Sequence, residues 1–124
     1  MWRIPFARFT VGNNAHSVAT NVELDSGATM GWGPAEMVRK LYKNVFNLDT
    51  CDEVTDHKGN KFCGKITSQQ LAAANDVRFT FGTGASTISI NIEPSSLLRG
   101  VSERLFEGNI ALKNDKYVYD NCGC

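Results

Sequence analysis

The sequence predicts a single domain that is mainly β, with one main helix. Three observations lead there. Apolar residues alternate with polar ones in several short runs, turn-forming residues separate those runs, and one segment only switches to a helical period. At 124 residues the chain is long enough to bury one core and too short for two full lobes.

Taken in order, "WRIPFARFTVG" alternates in its second half, with Phe9 and Val11 separated by Thr10, and ends on the turn signal Gly12-Asn13-Asn14. "HSVATNVEL" then sets Val18, Thr20, Val22 and Leu24 on one face, so residues 18–25 read as a strand antiparallel to the first. From Pro34 the period changes. Met37, Val38, Leu41, Tyr42, Val45 and Phe46 form one stripe opposite Glu36, Arg39, Lys40 and Lys43, which predicts a helix over 34–46 with Pro34 in its first turn. "ITSQQLAAAN" reads as a short helix. "VRFTFG" and "STISINIEP" flank the Gly-rich turn "GTGA" and predict a hairpin, with Val77, Phe79 and Phe81 on one face of the first strand and Ile88, Ile90 and Ile92 on one face of the second. "PSSLL" reads as a helical turn, and "NIALK" and "KYVYD" as short strands.

Composition narrows the function. Thirteen basic and thirteen acidic residues cancel and no block of like charge stands out, which argues against nucleic acid or an anionic membrane as partner. Arg39, Lys40 and Lys43 read as the solvated helix face. No apolar run approaches a membrane span, and the N-terminal "MWRIPFARF" lacks the apolar stretch of a signal peptide. His16 and His57 have no metal-ligand spacing and read as surface residues, so no metal and no cofactor is expected. Trp32 reads as a packing residue. The cysteines Cys51, Cys63, Cys122 and Cys124 are even in number, which suits an oxidising compartment, while free thiols in a cytosolic protein are the alternative. Cys51 and Cys63 bracket the turn Lys58-Gly59-Asn60, so their bridge is the simplest of the three possible pairings. In an extended chain Cys122 and Cys124 would stand about 6.6 Å apart, near the upper limit for a bridge.

One constellation points to chemistry. In "LDSGATMGWGP" an apolar residue, Leu24, precedes Asp25, Ser26 and Gly27; the small Ala28 and Thr29 follow, then Trp32 and Pro34. The segment resembles the active-site segment of pepsin-like aspartic peptidases, in particular their C-terminal lobe. "WRIPFARFTVG", "VRFTFG...STISINIEPSSLL" and "LFEGNIALKNDKYVYDN" resemble that lobe's other strands, so the likeness spans residues 1–124 as one lobe of that fold. Asp-Ser-Gly alone is a common turn sequence; the ordered set is more specific.

The resemblance implies an aspartic endopeptidase. Two Asp carboxylates share a proton and hold a water; one takes the water's proton while the other donates to the peptide carbonyl. Asp25 would be one of the two, and the second must come from another lobe or a symmetric dimer. Gly27 would let backbone approach the carboxylate, Ser26 would tie the opposed loops together, and Leu105, Phe106 and Gly108 would form the closing loop behind Asp25, interrupted here by Glu107. Ala28 stands where many members carry a hydroxyl that bonds the carboxylate, which leaves its charged form less stabilised. The resemblance also implies a peptide or protein substrate and a secreted or vacuolar/lysosomal setting. The alternative is a non-catalytic lobe that serves as a binding or structural module.

Overall fold

The computed structural model describes residues 2–24 and 31–113. Strand β1, Trp2–Val11, turns at Gly12 and Asn13 into β2, Asn14–Leu24. Gly12 takes the left-handed conformation, φ 59°, that the first position of such a tight hairpin turn demands. The predicted strand over 18–25 is thus present but begins earlier, at Asn14, and Asp25 lies outside the described residues.

The chain resumes as β3, Gly31–Pro34, and passes straight into helix α1, Ala35–Val45. Pro34 closes the strand with ψ 133° instead of entering the helix, a correction of one residue to the predicted start. The apolar stripe is buried as the periodicity predicts: Val38, Leu41, Tyr42, Val45 and Phe46 are each within 1 % of full burial. Glu36 in the first turn and Lys43 in the last complement the helix dipole. Asn47 follows in the left-handed region, φ 55°, and Asn75 closes the end, its amide donating to Val45 O at 2.8 Å and its side chain to Asn44 O at 2.8 Å.

Next come β4, Asp52–Thr55, and β5, Lys61–Gly64, an antiparallel hairpin about the turn that the sequence places at Lys58-Gly59-Asn60. Its turn is organised by Asp56. Oδ1 accepts from the amides of Lys58 at 2.8 Å and Asn60 at 2.9 Å, while Gly59 supplies the positive φ of 86°. Strand β6, Ile66–Thr67, leads into α2, Ser68–Ala72, which starts with a capping box: the Gln70 amide donates to Thr67 Oγ1 and the Thr67 amide to Gln70 Oε1. The predicted hairpin follows as β7, Val77–Thr83, and β8, Ser86–Ile92. A 3-10 turn at Pro94–Leu97 leads to β9, Leu98–Ser102, β10, Leu105–Gly108, and β11, Ile110–Lys113.

Three sheets result, with strand orders β2-β1-β7-β8, β6-β10-β9 and β3-β11-β5-β4. Helix α1 packs among them. The core joins its stripe to Phe9, Val11 and Val77 from the first sheet, Ile66 from the second, and Cys63 and Leu112 from the third. The protein is mainly β with one main helix. Ile88, Ile90 and Ile92 share a face as predicted, but that face runs off the edge of the core, leaving Ile88 69 % and Ile90 48 % exposed. The predicted strand "KYVYD", with Cys122 and Cys124, lies outside the described residues.

The Cys51–Cys63 bridge is present, with Cα atoms 5.0 Å apart, and ties the open end of the β4–β5 hairpin to the core through the fully buried Cys63. Closing a loop with a sequence separation of 12 limits the unfolded chain by about 3 kcal/mol in the chain-entropy account. Reduction should therefore lower the unfolding free energy in urea by about that amount, and unreduced peptide mapping should yield one fragment pair joined at Cys51 and Cys63.

Candidate active site

Asp25, Ser26, Gly27, Ala28 and Thr29 lie outside the described residues, and the strands on either side of them are described. On the upstream side, β2 runs to Leu24, opposite Trp2 of β1. On the downstream side, Gly31 opens β3, which lies parallel to β11 in the register Gly31↔Ile110, Trp32↔Ala111, Gly33↔Leu112 and Pro34↔Lys113. This is the only parallel ladder among the described residues, and it joins two segments remote in sequence. The segment carrying Asp25 thus starts and ends on hydrogen-bonded strands.

Helix α1 presses on β3 from one side. A Cβ placed on Gly33 would come within 2.7 Å of Met37 Cε, the movable tip of a flexible side chain, and 3.4 Å of Val38 Cγ2, so strand and helix are in close contact here. On the other side β11 is fixed by Tyr42. Its hydroxyl donates to Leu97 O at 2.7 Å and accepts from the amides of Asn109 at 3.1 Å and Ile110 at 3.2 Å. One buried atom therefore joins helix, 3-10 turn and the start of β11. Burial pushes the Tyr42 hydroxyl far above the ordinary phenol value, although the Ile110 and Asn109 amides and the Arg99 charge oppose the shift.

Leu105, Phe106 and Gly108, expected in a closing loop, belong to β10, which pairs with β9 and β6. Phe106 packs against the core, while Gly108 lies directly beneath the Tyr42 ring, where a Cβ would fall 2.6 Å from Cζ. Glu107, the residue that interrupts the resemblance, faces Arg99 across the ladder and accepts from its Nε at 2.6 Å. The Arg99 guanidinium in turn sits 4.3 Å over the ring of Phe62. A polar residue is thus accommodated by a cross-strand ion pair laid on an aromatic face.

The remaining candidates have structural roles. His16 is half-buried and stacks on Phe9 at 4.8 Å between ring centroids, where the sequence suggested a surface position; His57 is exposed in the β4–β5 turn. Among the described residues no cluster of three or more His, Cys, Asp or Glu side chains could hold a metal ion. Arg39 is exposed and donates to Glu53 at 2.8 Å. What sequence reasoning missed is the role of Tyr42: the helical stripe marked it as core, but nothing local shows that its hydroxyl reaches residues 109 and 110.

No protein-family model, curated protein or solved structure matches the chain.

Tyr42→Phe should cost about 1–2 kcal/mol, because it takes the hydroxyl from the Ile110 amide and leaves Leu97 O and the Asn109 amide, which bond each other at 3.0 Å, with one partner fewer each. Because folding raises the Tyr42 pKa, its contribution is complete below the unfolded phenol value near 10 and declines as pH rises above it; urea titrations from pH 7 to 11 should show that decline shrink in Tyr42→Phe. Gly108→Ala should also destabilise by about 1–3 kcal/mol through overpacking against the Tyr42 ring, read as a lower urea midpoint.

Proposed function

We propose that the chain is an aspartic endopeptidase lobe in which Asp25 supplies one of the two carboxylates that activate water for peptide-bond hydrolysis. The second carboxylate comes from another Asp-bearing lobe or from a second copy of the chain. The observation that carries this reading is the ordered set Leu24-Asp25-Ser26-Gly27, bounded by the β1–β2 ladder on one side and the parallel β3–β11 ladder on the other. A general acid–base pair needs its carboxylates held to within fractions of an ångström, and anchoring on strands at both ends suits that need. Glycine at position 27 leaves room for an amide to approach the carboxylate.

In this reading one carboxylate takes a proton from the water, the other donates to the carbonyl oxygen of an extended peptide held between two lobes, and the shared proton returns when the amine leaves. The Cys51–Cys63 bridge is compatible with a secreted or vacuolar/lysosomal setting. The single Asp-Ser-Gly motif favours a second reading, a non-catalytic lobe that acts as a binding or structural module.

The test is cleavage of an unfolded protein across a pH series, with and without a statine-type inhibitor, on samples of known mass. Asp25→Asn should retain the fold and lower turnover by about a thousandfold, since it removes the titrating proton and not the shape. Ala28→Thr should move the optimum towards acid by giving the carboxylate a donor. Activity that survives Asp25→Asn would sink the aspartic mechanism, and a stable fold without inhibitor-sensitive cleavage in any oligomeric state would favour the second reading.

A further inference from the structure

Among the described residues the three sheets end in six edge strands, and five of these carry a feature that blocks further pairing. Strand β2 contains the acidic Glu23 in its sequence, β3 ends in Pro34, β4 opens with Asp52 and Glu53, β6 spans two residues, and β9 contains Arg99. Strand β8 has no such feature. Its seven residues, "STISINI", contain no charge and no proline, they pair with β7 in unbroken register, and they expose Ile88 and Ile90 on one face.

We propose that the β8 edge is a self-association surface that pairs antiparallel with β8 of a second copy of this chain. The strand is its own complement. With Ser89 opposite the second copy's Ser89, all seven residues overlap, Ile88 meets Ile90 in both directions, Thr87 meets Asn91, and Ser86 meets Ile92. Residues opposed in an antiparallel pair share a face, so the two exposed isoleucines of each copy cover those of the other. No charge meets its like within the overlap. The two-fold pairing also closes, because each copy offers one such edge.

This surface is separate from the dyad of the proposed function. Strand β8 lies at the opposite edge of its sheet from β2, three strand spacings away, or about 14 Å. Pairing through β8 extends the described sheet to eight strands and sets the two copies of Leu24 at its outer edges, far from the β8–β8 seam.

Sedimentation equilibrium over a concentration series tests the proposal independently of catalysis. The mass should rise from 13.6 kDa towards twice that value. Ile90→Lys should raise the midpoint concentration at least about tenfold with unchanged far-UV circular dichroism, while Val101→Lys, which alters another exposed apolar residue, should leave the midpoint unchanged. In the unsubstituted chain, amide exchange at Thr87, Ser89 or Asn91 should slow as concentration rises, a readout that stands even if a variant fails to fold. A monomer at every concentration, a dimer indifferent to Ile90→Lys, open-ended higher assemblies, or β8 exchange that ignores concentration would each overturn it.

Discussion

The Tyr42 hydroxyl is the constraint on which the arrangement around the candidate site depends. It sits inside the protein and holds three backbone groups from two segments, one of them the amide that opens β11. A buried phenol left without partners would be costly, and it is satisfied here by Leu97 O and the amides of Asn109 and Ile110, two of which, Asn109 and Leu97, also bond each other at 3.0 Å. The consequence passes outwards. Tyr42 sets the start of β11, β11 sets β3 through the parallel ladder, and β3 carries the chain out of the segment that contains Asp25. One glycine makes the approach possible: Gly108 under the Tyr42 ring.

The rest of the molecule secures this junction from the periphery. The disulfide ties the β4–β5 hairpin to the core at Cys63, and Phe62 beside it supports the Arg99–Glu107 pair across β9 and β10. Asp56 orders the far end of the same hairpin. Desolvation, the largest influence on its carboxyl, raises its pKa, but the Asn60 and Lys58 hydrogen bonds and the His57 charge together hold it below the ordinary carboxylate value. That contribution is present above the unfolded carboxylate pKa and is lost as pH falls through the lower folded one, so the turn retains its order into moderately acid solution.

Much of the fold was legible because its signals are local. The stripe from Met37 to Phe46 gave the helix, alternation gave β1, β2, β7 and β8, and the turn between the cysteines gave the bridge. What was not legible depends on distant partners. Strand β3 has two glycines and a proline among its four residues and no strand propensity worth the name; it is a strand because β11 and α1 hold it there. Strands β9 and β10 exist through each other, with Glu107 explained only once Arg99 stands opposite. The helix starts one residue after Pro34, whose fixed φ suits both the last strand position and the first helical turn, so the sequence alone does not separate the two. For the candidate site, the motif at Asp25 was readable from sequence, whereas the Tyr42 junction that braces its downstream end was not.

If Tyr42 governs the β3–β11 ladder, loss of its hydroxyl must loosen that ladder before it loosens the protein. Native-state amide hydrogen exchange in the unsubstituted chain and in Tyr42→Phe measures this most directly. The account predicts faster exchange at Trp32, Gly33, Ala111 and Leu112 under conditions where amides of β1 and β7 keep their protection. Uniform acceleration across all three sheets, or unchanged exchange on β3 and β11, would contradict it.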